Sequence, residues 1–267
     1  MGVQSVSVPQ NVASALTAAG NRTGVDFSYL LQTAIRESSL NPSAKASTSS
    51  ATGLFQFLES TWLQTMKEQG PALGYGQYAD QIQRRSDGTY TIADPQTKAA
   101  ILKLREDPQI SADLAAAFTR RNGEYLKNQF GRNPSAGELY IAHFLGAEGA
   151  ERMFRAGLQD PDQLAVNLFP RQADANQAIF YSNGQPRTIR EVYRVLVAKH
   201  ENGTNAAFSA QQMAGQSTAA PPPLPVVPSR FSTDNMSFTG LFKTVPDVPV
   251  APSEAGGSAF FTQLYAR

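Results

Sequence analysis

In FSYLLQTAIRES, residues 27–38, apolar side chains fall at Phe27, Leu30, Leu31, Ala34 and Ile35. This is the i, i+3, i+4, i+7, i+8 spacing of a helix with one buried face. Asp26 stands before it as a natural N-cap, and Asn41-Pro42 breaks it. The same period returns along the chain and restricts it to an all-α fold, a helix-dominated α+β arrangement at most. Glu59 to Gln69 reads as a second helix. Pro95 opens another at TKAAILKLRED, and Pro108 precedes the long SADLAAAFTRRNGEYLKNQF. Asn133-Pro134-Ser135 starts AGELYIAHFLG, and shorter helical pieces follow at AEGAERMFRAG, DPDQLAVNLF and TIREVYRVLVAKH. A small hairpin is expected around Asp87-Gly88. No internal repeat is visible.

From about Ala206 the period fades into AAFSAQQMAGQSTAAPPPLPVVPSRF, where Pro, Ser, Ala and Gly dominate. Such a stretch buries too little apolar surface to offset its ordering entropy. Pro221 to Pro228 favours an extended polyproline II conformation. The division expected is therefore one domain over 1–205 and a disordered, Pro-rich tail over 206–267. At its end, SAFFTQLYAR sets Phe260, Phe261, Leu264 and Tyr265 at helical spacing, a short apolar element suited to docking on the domain or on a partner.

Composition removes several classes of function. Lys and Arg total 23 against 22 Asp and Glu, a formal charge of +1, so no overall field draws in nucleic acid or anionic lipid. There is no cysteine, which excludes disulfides, zinc-thiolate sites and cysteine nucleophiles. The two histidines, His143 and His200, are too far apart in sequence to suggest a metal cluster. No run approaches the ~18 apolar residues of a transmembrane segment. The first residues have neither a basic n-region nor an uninterrupted apolar stretch, so no Sec signal is expected.

Glu37 is the residue that composition alone does not explain. At about 100° per residue it falls a quarter turn from the centre of the apolar stripe, on the shoulder of the buried face. It also lies in the last helical turn, where the unsatisfied carbonyls disfavour a negative charge. Partial desolvation acts in the same direction. A carboxyl kept protonated near neutral pH is what a general acid for glycosidic cleavage requires.

The pattern around it is ordered: Glu37-Ser38, Asn41-Pro42, Ala44, Ala46, then Gly53-Leu54-Phe55-Gln56-Phe57. It resembles the soluble lytic transglycosylase and goose-type lysozyme superfamily, whose signature is E-S-x-x-N-P-x-A, a small-residue loop and G-x-x-Q. The resemblance implies a lysozyme-like transglycosylase domain with Glu37 as the acid/base, Ser38 as its support and Gln56 lining the sugar groove. Phe55 and Phe57 read as core residues. The superfamily's next motif is usually A-Y-N-x-G, and its counterpart here is Ala142-His143-Phe144-Leu145-Gly146. His143 replaces the tyrosine and Phe144 the asparagine. This looks like the branch, found in phage-type and some bacterial peptidoglycan-degrading proteins, where Y-x-A-H-F-L-G recurs. Tyr140 lies one turn before His143 on the same face, so either residue is placed to bond the acid or a substrate acetamido group. The resemblance covers residues 10–155.

A hydrolase of this kind normally uses a second carboxylate. Glu59, Asp80, Glu106, Asp113, Glu124, Glu138 and Glu148 are present, but no motif marks any of them. A lytic transglycosylase needs one carboxyl, and this is the activity expected, on the MurNAc-GlcNAc bond of peptidoglycan and without metal or organic cofactor. Two readings stay open beside it: a hydrolytic muramidase on the same fold, and a non-catalytic peptidoglycan-binding adaptor. The substrate places the work in the periplasm or cell envelope. The tail is the segment expected to meet an assembly partner of a secretion, flagellar or phage type.

Overall fold

The computed structural model describes residues 8–47 and 49–200. The expected tail over 206–267, with its apolar end, lies outside the described residues.

Helix α1 (Gln10–Thr23) runs to Gly24, and α2 (Phe27–Ser38) begins at Asp26. The Asp26 carboxylate accepts from the backbone N–H groups of Ser28 at 2.8 Å and Tyr29 at 3.1 Å, satisfying donors that the first turn leaves open. After a loop come α3 (Glu59–Gln69), the single turn α4 (Gly76–Ala79) and a two-stranded ribbon, β1 (Gln83–Arg84) with β2 (Tyr90–Thr91). Gly88 turns this ribbon with φ +85°, as the Asp-Gly step led one to expect. Asp94 and Asp107 then cap α5 (Pro95–Lys103) and α6 (Pro108–Phe130), each with proline in the first turn, where its missing N–H costs no bond.

Helix α7 (Ala136–Leu145) opens with a capping box between Ser135 and Glu138. Glu138 is buried and also holds Arg132 through both oxygens, at 2.8 and 2.7 Å. Then follow α8 (Ala147–Gln159), the short helices α9 (Ala165–Leu168), α10 (Pro170–Ala175) and α11 (Gln177–Phe180), and the ribbon β3 (Tyr181–Ser182) with β4 (Gln185–Pro186). The last helix, α12, spans residues 189–200. It lies close on α7 because Gly137 has no side chain: a Cβ there would meet the Val197 methyl at 3.0 Å.

The apolar residues form two clusters. One gathers α1, α2, α3 and the first half of α6, with Leu16, Leu30, Phe55, Phe57, Trp62 and Leu114 fully enclosed. Phe55 and Phe57 are core residues, and the Trp62 indole donates to the Ile101 carbonyl at 3.0 Å. The other gathers α7, α8 and the C-terminal elements around Tyr140, Phe144, Phe169, Phe180 and Leu196. Each large apolar side chain so buried contributes about 1.5–3 kcal/mol. Helix α6 is shared, with Phe118 in the first cluster and Leu126 in the second. Glu37 stands at the seam, at the end of a first-cluster helix and facing a second-cluster one.

Candidate active site

Helix α2 stops because Ser39 and Leu40 take left-handed conformations, with φ +52° and +65°. Their N–H groups bond back to the Ile35 and Ala34 carbonyls at 2.8 and 3.3 Å, closing the helix end. The next turn is stapled by the Asn41 amide oxygen, which accepts from the Ser43 N–H at 2.9 Å. The loop then doubles back through short bridges, Lys45 to Thr52 and Thr52 to Phe57. Gly53, with φ +88°, lies against the backbone of Arg105; a Cβ there would fall 1.9 Å from the Arg105 carbonyl oxygen.

Arg105 holds the loop from outside. Its guanidinium donates to the carbonyls of Ser50 at 2.6 Å and Phe57 at 3.0 Å, and its Nε to Leu102 at 2.9 Å. No motif marked this residue. An arginine within the apolar-polar alternation of ILKLRED reads as a surface charge, and only the loop's return explains its burial.

Ser38 and Gln56 both secure this loop. The Ser38 hydroxyl reaches the Leu54 carbonyl at 2.8 Å and Ala34 of its own helix at 3.1 Å. Gln56 was expected in the sugar groove. The structure places it inside the loop, 2% exposed, with its amide nitrogen donating to Ala44 at 3.1 Å and Gly53 at 2.9 Å. An amide committed to two backbone carbonyls positions the loop and has little surface to offer a sugar.

The Glu37 side chain has no exposed surface, so it lies deeper than the shoulder position expected from its own helix. The cover comes from α7, which a single-helix projection omits. His143 Nε2 stands 3.9 Å from the Glu37 carboxyl, and Tyr140 lies under His143 with ring centroids 6.2 Å apart and planes 16° from parallel. The edge of Phe118 meets the His143 ring from α6, at 6.2 Å.

The imidazoles and phenols around Glu37 share one state. Burial, with the positive charge of Arg36 adding to it, pulls the His143 imidazole down to about 3. The same two causes pull His200 down to about 4. Burial raises the hydroxyl of Tyr29 to about 12, with Arg36 opposing, and raises that of Tyr140 further. At neutral pH both imidazoles are therefore neutral and both phenols keep their protons. Arg36 lies with its Cζ 4.2 Å over the Tyr140 ring and its Nη2 3.5 Å from His200.

Beside this group a cavity of about 750 Å³ opens between α2, α6, α7 and α12, bordered by Tyr29, Gln32, Thr119, Tyr193 and His200. It shares Tyr29 and His200 with the surroundings of Glu37, while Glu37, Ser38, Gln56, Tyr140 and His143 lie outside its wall. The structure thus brings Glu37, Tyr140 and His143 into one group and sets Ser38 and Gln56 in the loop behind it.

The family model of the transglycosylase SLT domain matches residues 14–133. The match takes in Glu37, Ser38 and Gln56 and ends before Tyr140 and His143. Over residues 14–133 the chain matches the transglycosylase SLT domain, which is consistent with the lysozyme-like SLT superfamily, whose domains act on peptidoglycan in the cell envelope.

Proposed function

We propose that the protein is a peptidoglycan lytic transglycosylase in which Glu37 is the single acid and base. The observation that carries this reading is the contrast between Glu37 and the other carboxyls. Glu37 is enclosed, with a neutral imidazole 3.9 Å away. Glu59 is paired with Lys98 at 2.5 Å, Glu106 with Lys103 at 2.6 Å, and Glu124 with Arg120 at 3.8 Å. Asp113 is held by Arg22 at 2.7 Å and Tyr75 at 2.5 Å, and Glu138 by Arg132. Asp80 and Glu148 are exposed. Among these described carboxyls, Glu37 is the one that stands beside His143 and in the ordered motif, and the reading assigns the chemistry to it alone.

Taking a carboxyl out of water favours its protonated form, and this is the form a general acid starts from. Glu37 gives its proton to the glycosidic oxygen as the bond to MurNAc C1 breaks, and the GlcNAc 4-hydroxyl leaves. The substrate acetamido oxygen stabilises the cationic C1. The Glu37 carboxylate then takes the proton of the MurNAc 6-hydroxyl, whose oxygen closes onto C1. The product is a 1,6-anhydro sugar, Glu37 is protonated again, and no water is consumed. His143 and Tyr140, both neutral, line the carboxyl and fix its orientation. Ser38 and Gln56 act one step back, through the loop.

The substrate sets the working place as the periplasm or cell envelope, and among the described residues no helix is long and apolar enough to cross a membrane. The test is mass spectrometry of muropeptides released from purified sacculi by the wild-type protein and by Glu37→Gln. Fragments ending in 1,6-anhydromuramic acid, absent with the variant, are expected. Reducing ends, heavier by one water, would replace this reading with a muramidase. No release by the wild type would turn it toward a binding adaptor.

A further inference from the structure

The proposed reaction leaves Glu37 as a carboxylate in an enclosed site, and a buried charge without compensation is costly. Consecutive helical residues point about 100° apart. So while Glu37 faces His143, its neighbour Arg36 faces Tyr140 and the end of α12. The guanidinium is seated on two sides, 4.2 Å over the Tyr140 ring and 3.5 Å from both the Nδ1 and the backbone oxygen of His200. A cation stacked on a phenol ring is held by the ring's negative face.

We infer that Arg36 is a positioning residue for this reaction: from its seat between Tyr140 and His200, its guanidinium supplies the positive field that steadies the carboxylate Glu37 becomes. The inference rests on the reading of Glu37 as the acid. The titratable groups facing Arg36 are Tyr29 and Glu37 from α2, Tyr140 and His143 from α7, and Lys199 and His200 from α12. The side chains that α6 contributes here, Phe118 and Thr119, do not titrate. Both imidazoles are held neutral and both phenols protonated. Lys199 is pushed down by burial and by Arg36, with Glu37 opposing. A guanidinium keeps its charge across the working range, so Arg36 is a fixed cation among these described residues. Burial raises the Tyr140 hydroxyl, with Arg36 opposing and Glu37 adding to the shift.

The sign of the effect follows. A nearby cation favours the carboxylate, so removing it keeps Glu37 protonated to higher pH and makes it a weaker acid in the first step, where the carboxylate forms. The experiment is the pH profile of sacculus cleavage by the full chain, for wild type, Arg36→Gln, Arg36→Lys and Glu37→Gln, each with its thermal unfolding curve. In Arg36→Gln the alkaline limb of kcat/KM should rise by about one pH unit, with turnover about 10- to 100-fold lower. Arg36→Lys, which keeps the charge, should hold the limb near its wild-type position and recover most of the turnover. An unmoved limb in a folded Arg36→Gln overturns the inference, even with Glu37→Gln inactive. If Arg36→Gln does not fold, Arg36→Lys decides: a folded protein as inactive as Glu37→Gln refutes the role of the charge. Full activity of Glu37→Gln would remove the underlying reading, and the role of Arg36 with it.

Discussion

The Ser38 hydroxyl lies 2.8 Å from the Leu54 carbonyl oxygen, and this bond ties the end of the Glu37 helix to the loop that folds back behind it. The two residues are sixteen apart in sequence, so the bond fixes the loop on the helix rather than capping the helix end alone. Ser38→Ala removes a half-buried donor and leaves the Leu54 carbonyl without it. A loss of about 1 kcal/mol in urea unfolding is expected. Cleavage should slow several-fold with little change in KM, because the helix end loses its anchor while the groove keeps its walls. Unchanged activity together with the stability loss would confine Ser38 to a structural role.

Arg105 makes a stronger case on the other side of the loop. It joins the Ser50 carbonyl, just before the GLFQF return, to the Phe57 carbonyl at its end. Arg105→Met keeps the length of the side chain and strips its donors, at about 1–3 kcal/mol for each buried carbonyl left unsatisfied. Gly53→Ala attacks the same contact from the opposite face, since its Cβ would fall 1.9 Å from the Arg105 carbonyl oxygen. Both variants should unfold at clearly lower urea concentration than the wild type. The double variant should lose less than the sum of the two, because the residues share one interface.

Much of this was legible in the sequence. The helices that form at 27–38, 59–69, 95–103, 108–130 and 136–145 were read from the apolar period, four of them with Asp, Ser or Pro at the start, though TKAAILKLRED runs past the end of α5 at Lys103. Those cues are local. Helix α1 was missed although Val12, Ala15, Leu16 and Ala19 keep helical spacing, because no capping side chain or acidic first turn marks its start after Pro9. The Asn183-Gly184 turn between β3 and β4 carried a hairpin signal, but its strands are two residues long and show no alternation. In the site, the ordered motif from Glu37 to Phe57 was visible, while the burial of Glu37 was not. That burial depends on α7, about a hundred residues away. Arg36 was hidden for the same reason: its partners, Tyr140 and His200, are brought to it only by the fold.

The two buried imidazoles make stability depend on acid. In the unfolded chain a histidine takes up its proton near pH 6.5, whereas in the folded protein His143 resists until about 3 and His200 until about 4. Between these values the unfolded state binds more protons, so stability is full above about pH 6.5 and falls as pH drops through the window. The loss by pH 4.5 should be on the order of a few kcal/mol. Thermal unfolding at steps from pH 7.5 to 4.5 measures it. His143→Gln and His200→Gln should each flatten the slope, and an equal slope in all three proteins would contradict the neutral state assigned to the rings.

The last prediction concerns how much chain the activity needs. The family match ends at residue 133, but the shell around Glu37 does not. Tyr140 and His143 come from α7, and His200 from α12. Leu126, in the second half of α6, packs with Tyr140, Phe154 and Leu196 in a cluster built mostly from residues after 133. A chain cut after residue 133 would open that cluster and uncover the carboxyl, and it should neither unfold cooperatively nor cleave sacculi. A chain ending at residue 205 keeps every described helix that borders the site. It should release the same fragments as the full chain from purified sacculi, at a rate within about threefold, a difference of less than 1 kcal/mol in barrier. Loss of activity at 205 would mean that residues 206–267 take part in the chemistry itself, and the boundary between domain and tail would have to move.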